Sequence, residues 1–163
     1  MPPVNLIRPR ANDTAAARLA ASWEDAWNRH DMDAAASLVA QDVEFVTVAG
    51  LWLRGREEFL SHHRRIHAMQ MQDSQWVNLA VSQRVIRDDL VLIHLEWRVT
   101  GDREPDGTAR PPRLGLFTWL TTPAGDALRI LAAHNTNLRS DLCHRMSGSV
   151  ESASITGGNP WSA

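Results

Sequence analysis

Apolar residues recur along the chain with two different periods. Leu19, Trp23, Ala26 and Trp27 fall three and four apart behind the cap-type run Asn12, Asp13 and Thr14. That spacing predicts an amphipathic helix over about 14–29. Asp31 caps a second, short helix predicted to reach about Val39, with Ala35, Leu38 and Val39 on one side. The pattern then changes. VEFVTVAG, ending at Gly50, and LWLRG, ending at Gly55, read as two strands joined at a glycine turn. A third helix is predicted from about Arg56 to Met69, with Phe59, His63, Ile66 and Gln70 on one face and His62 and His67 on its flanks.

Four longer strands follow: Gln75–Arg87, Leu90–Thr100, Arg113–Thr121 and Ala127–Leu138. They turn at Asp88-Asp89, at the loop GDREPDGTARPP and at Pro123-Ala124-Gly125. Val91, Ile93, Leu95, Trp97 and Val99 alternate on one face of the second, opposite His94, Glu96 and Arg98. In the last, strict alternation puts Leu128, Ile130, Ala132, His134, Thr136 and Leu138 on the more apolar face and Asn135 on the other. Thr118 similarly interrupts the face of Leu114, Leu116 and Leu120. The order is helix, helix, strand, strand, helix, then antiparallel hairpins, so the expected class is α+β. Residues 1–12 read as an N-terminal arm, 13–139 as a single domain and 140–163 as a serine- and glycine-rich tail that could dock on a partner through Trp161.

Composition narrows the chemistry. The 163 residues suit one domain able to bury its own core. A formal charge of −2 argues against a nucleic-acid partner. No apolar run is long enough for a membrane span, and the first ten residues lack the apolar core of a secretion signal. One cysteine, Cys143, forms no internal disulfide and is compatible with a cytoplasmic location. All 17 Lys+Arg positions are arginine, which removes lysine Schiff-base chemistry and the lysine of a phosphate-binding loop. No tyrosine is present, so no phenol can donate a proton. No dinucleotide glycine pattern or serine nucleophile elbow appears, and no cofactor is expected.

Histidines are the remaining candidates. His63 and His67 stand four apart, a spacing that can hold a metal, but HRRIH lacks the glutamate of a zinc-protease helix and sets two arginines between the ligands. No metal site is expected, and His67 reads as a solvated flank. His63 reads either as a satisfied core histidine or as a polar group aimed into a cavity. His94, Glu96 and Arg98 read as the polar side of a half-buried sheet, or as part of a dimer contact, rather than an acid–base cluster. His134 and Thr136, read as inward on a core strand, must hydrogen-bond to neighbours or to a ligand. Trp23, Trp27 and Trp97 suit either a core or the wall of an apolar ligand cavity, and Trp52 and Trp76 fit both pictures.

Four stretches, WEDAWNRHDMDAAASLVAQDVEF, GLWLRGREEFLSHH, LGLFTWL and RILAAHNT, resemble the nuclear transport factor 2-like superfamily, which includes SnoaL-like polyketide cyclases and ketosteroid isomerases. Within it the chain is most similar to the SgcJ/EcaC-type subgroup of natural-product gene clusters. The resemblance covers about 14–139. It implies a cone-shaped α+β domain, three helices on a strongly curved, mostly antiparallel sheet of about six strands, with a pocket at the open end. It also implies homodimers through the outer sheet face. Its pocket positions correspond to Trp23, Trp27, His63, Trp97, Thr118, His134 and Thr136, and the subgroup's Asn-Thr pair to Asn135 and Thr136. The isomerase aspartate is replaced by Val46 or Thr47, and its tyrosine is missing. Of the Asp–Arg–Asp set of epoxide hydrolases only Arg98 has a counterpart. Three functions follow. One is a cofactor-free isomerase or cyclase acting on an apolar, polyketide- or steroid-like molecule, with His63 or His134 as base and Thr118, Asn135 or Thr136 orienting the substrate. The others are a non-catalytic binder of such a ligand and a structural dimer whose tail recruits a partner.

Overall fold

The computed structural model describes residues 14–138. The predicted arm and tail, with Cys143 and Trp161, lie outside the described residues. The first helix, α1 (Ala15–Asn28), is capped by Thr14, whose hydroxyl accepts from the Ala17 amide at 3.1 Å. It ends in a Schellman turn. His30 takes φ 53°, its amide donates to the Trp27 carbonyl, and the Asp31 amide donates to the Ala26 carbonyl. That left-handed residue swings the chain directly into α2 (Met32–Ser37), which Asp31 caps. Helix α2 is shorter than the sequence pattern suggests because β1 (Val39–Val46) starts at once. The Leu38 carbonyl accepts from the Ile130 amide at 2.9 Å, and this pairing pulls Val39 out of the helix. A turn at Gly50 leads through β2 (Trp52–Arg54) into α3 (Gly55–His67).

Strands β3 (Gln75–Arg87), β4 (Leu90–Thr100), β5 (Arg113–Ala124) and β6 (Ala127–Asn137) complete a six-stranded sheet in the order β2-β1-β6-β5-β4-β3. Every neighbouring pair is antiparallel except β1 with β6, which is parallel. Strand β5 outruns its predicted end. Beyond Thr121 it pairs with β6 alone, so Pro123 costs no ladder bond on the β4 side. Register shifts in β1–β6, β3–β4 and β5–β6 bend the sheet into a cone around the helices. Gly101, at φ 80°, lies so near Asp73 that a Cβ would stand 2.3 Å from its carbonyl oxygen; only glycine lets β4 turn there.

The concave face is aromatic. Trp23 is the hub, with ring centroids 5.4 Å from Phe117, 5.8 Å from Trp119, 6.0 Å from Trp76 and 6.2 Å from Phe45. Trp76 stacks on Trp97 at 4.7 Å. The alternation predicted for β4 is correct: Val91, Ile93, Leu95, Trp97 and Val99 are all buried. The inward readings for β5 and β6 need correction. Gly115, Phe117, Trp119 and Thr121 point inward on β5, leaving Leu114, Leu116, Thr118 and Leu120 on the convex face. On β6 the register shifts: Leu120 pairs with Ala132, but Thr121 pairs with Ile130, so Leu131 is an extra residue. A one-residue bulge inverts every later side chain. Leu128 and Ile130 are buried as expected, but Ala133 and Asn135 then turn inward, and His134 and Thr136 are exposed.

Candidate functional site

Helices α1 and α3 do not fill the open end of the cone. A cavity of about 510 Å³ remains there, within the range of small-molecule sites. Trp23 and Trp27, one turn apart on α1, form one wall; His62, His63 and Ile66 of α3 form another. The sheet supplies Phe45, Trp76, Trp97, Arg113, Phe117 and Asn135, and the β4–β5 connection supplies Pro105 and Arg110. The lining is mostly apolar and, among the described residues, includes no aspartate or glutamate.

Two polar groups inside this wall are held in defined orientations. His63 is buried, with its Nδ1 2.8 Å from the Phe59 carbonyl one turn back. A carbonyl only accepts, so Nδ1 carries the proton and donates. Nε2 is then the lone-pair nitrogen, without a protein partner among the described residues. Burial in this aromatic wall pushes the His63 pKa down to about 3, only partly offset by the bond to Phe59, so the ring is neutral across physiological pH. Neighbouring His62 is lowered too, by burial first and then by the Arg65 charge.

Asn135 is the second group. The Trp97 Nε1 donates to its Oδ1 at 2.8 Å. Indole N–H is only a donor, so this bond fixes which end of the amide is oxygen and leaves the NH₂ as a donor at the cavity. Gly115 makes the arrangement possible. A Cβ there would stand 1.9 Å from Cζ2 of Trp97, so the ring lies in space that any other residue would occupy. Trp27 is anchored in turn: its Nε1 donates to the buried Ser74 hydroxyl at 3.0 Å, which donates to the Met71 carbonyl at 2.7 Å.

Of the residues proposed from the sequence, the structure brings together Trp23, Trp27, His63, Trp97 and Asn135. It sets His134, Thr118 and Thr136 apart on the convex face, where Thr118 is cross-strand neighbour to both His94 and His134. His67 is another correction. It is buried rather than solvated, its ring 4.4 Å from Trp27 and its Nδ1 2.8 Å from Nδ1 of His30; burial and His30 lower its pKa to about 4. Among the described residues no three His, Cys, Asp or Glu side chains gather as a metal site. No described helix is long and apolar enough to cross a membrane. Arg110 and Arg113 also line the cavity, and no sequence motif singles them out. Arg113 shares the alternation of Gly115, Phe117 and Trp119, so a correct face for β5 would have found it.

The chain belongs to the SnoaL-like domain family, whose profile matches residues 20–130. Among solved structures it is similar to an uncharacterised cystatin-like protein from Caulobacter vibrioides, with 22% identity, a TM-score of 0.73, and 80% of this chain and 92% of that one covered. It is also similar to a putative scytalone dehydratase from Novosphingobium aromaticivorans (11% identity, TM-score 0.65, 77% and 83% covered). A hexachlorocyclohexane dehydrochlorinase, LinA type 2, matches with 12% identity and a TM-score of 0.65, covering 77% and 88%. These likenesses establish the cone fold. No curated protein sequence matches the chain.

Proposed function

We propose that the cavity binds an apolar small molecule and catalyses cofactor-free proton transfer on it, of the isomerase, cyclase or dehydratase kind. The observation that carries this reading is the His63 imidazole: locked by Phe59, neutral, and left with one lone pair in a wall without carboxylates. Its Nε2 takes a proton from a substrate C–H or O–H, and the Asn135 amide donates to the oxygen where negative charge grows. An anionic intermediate beside His63 raises the imidazole's basicity at the moment it is needed. The dehydratase and dehydrochlorinase similarities support elimination chemistry in this fold without defining it here. The likeness to the SgcJ/EcaC-type subgroup favours a polyketide-like substrate. We also assign self-association to the convex face, where Leu92, Leu114, Leu116 and Leu120 are only half-covered in the single chain. Sedimentation velocity checks this: a monomer at tens of micromolar overturns it.

The test begins with aromatic polyketide-like ligands screened by tryptophan fluorescence, since Trp23, Trp27, Trp76 and Trp97 all line the cavity. Bound ligands are then incubated with the protein in D₂O, and exchange at acidic C–H positions is followed by NMR. Exchange that His63→Gln abolishes while binding persists is the expected result. Tight binding with no exchange in any ligand leaves a binding module and removes the catalytic reading.

A further inference from the structure

We propose that the cavity's ligand carries a carboxylate or equivalent oxyanion, bound at the mouth by Arg110 and Arg113. The inference rests on the cavity being a ligand site and adds the ligand's charge. Among the described residues three cations, Arg65, Arg110 and Arg113, border the cavity, and no carboxylate does. The two acids nearby, Asp102 and Glu104, are not part of the lining and hold the arginines in place.

Asp102 is buried and acts as the anchor. Its Oδ2 accepts from Arg113 Nε at 2.9 Å and Nη2 at 2.7 Å, and lies 3.7 Å from Arg110 Nη1. One oxygen thus holds both guanidiniums side by side. Asn137 takes Arg113 Nη1 at 2.7 Å, and Glu104 takes Arg110 Nη2 at 2.7 Å. Each guanidinium has five N–H donors, so these bonds leave two on Arg113 and more on Arg110. Arg110 Nε is buried and makes no hydrogen bond among the described residues. The remaining Nη donors of the two guanidiniums, whose side chains line the cavity, are the groups that bond an oxyanion there. Arg65, from the opposite side, lies 3.3 Å from His62 Nδ1 and has no acidic partner among the described residues. With Asp102 and Glu104 set against the three arginines, the mouth keeps one net positive charge over an apolar floor, the complement of an apolar body with an anionic head.

A matched pair of probes tests this: naphthalene-2-carboxylate and naphthalene-2-carboxamide, titrated against the full chain by tryptophan fluorescence. The expected result is a carboxylate bound roughly tenfold or more tightly than the amide at low salt. Salt at about 500 mM should erode that preference while leaving the amide unchanged. Arg110→Met, which keeps the apolar stem, should cut the preference to about threefold or less, the carboxylate losing more affinity than the amide. Arg65→Met should reduce it by a smaller factor. Equal wild-type affinities, or a salt-insensitive preference, overturn the anion assignment alone. Binding of neither probe overturns it together with the apolar-cavity reading. The salt titration uses the wild-type chain, so misfolding of R110M leaves the test intact.

Discussion

Replacing His63 by leucine should change how stability depends on pH more than stability itself. In the native state the ring is neutral down to about pH 3 because it is buried. In the unfolded chain a histidine takes up its proton near pH 6.5. Below 6.5 the unfolded state therefore binds more protons than the native state, and stability falls as pH falls. The loss begins near 6.5 and stops only when the native ring titrates, near 3. Between about pH 7.5 and pH 4.5 this one group removes roughly 2.7 kcal/mol, two pH units at about 1.4 kcal/mol each. His63→Leu forfeits the bond to the Phe59 carbonyl, a net cost of about 1 kcal/mol, offset by added apolar burial. Near pH 7.5 the two proteins should thus lie within about 1 kcal/mol of each other. Near pH 4.5 the variant should have gained roughly 2.7 kcal/mol relative to wild type. Urea unfolding at the two pH values measures both differences, and all other titrating groups cancel in the comparison. Parallel pH profiles, agreeing within about 0.5 kcal/mol, would refute the buried neutral imidazole and the proton-acceptor role built on it.

Four further outcomes are expected. Gly115→Ala forces the Trp97 ring off its seat, so it should cost at least about 1–3 kcal/mol in urea unfolding and weaken ligand binding, because Asn135 loses its partner. Ser74→Ala leaves the buried Trp27 Nε1 without an acceptor and should cost about 1–3 kcal/mol by the same assay. Asn135→Leu should retain binding of a neutral apolar ligand but slow proton exchange by about tenfold to a thousandfold; an unchanged rate would remove the donor role. His134→Ala, on the convex face, should leave ligand affinity and exchange within about twofold of wild type, read by the fluorescence and NMR assays above.

Local pattern was enough for the element order, the hairpins and the inward faces of α1 and β4. Trp23 and Trp27 lie one turn apart and are the helix's largest apolar groups; the alternate residues of β4 are charged or polar at His94, Glu96 and Arg98. In both elements one face alone suits a core. His63 lies one turn from Phe59 on the same face, a spacing that leaves core and cavity both open. Strand β5 offers no such contrast. Its leucine face and its Phe-Trp face are both apolar, and only the aromatic cluster around Trp23 decides which goes inward. In strand β6 strict alternation gives the wrong face, because alternation carries phase only as far as the next bulge. The extra residue at Leu131 exists because of how β6 pairs with β5, a contact between strands that nothing within RILAAHNT encodes. That single insertion exchanges Asn135 for His134 at the cavity. The burial of His67, and the meeting of Arg110 and Arg113 on one Asp102 oxygen, are likewise products of distant segments brought together. Sequence period fixes which residues travel together on a face; long-range pairing fixes whether that face meets core, cavity or water.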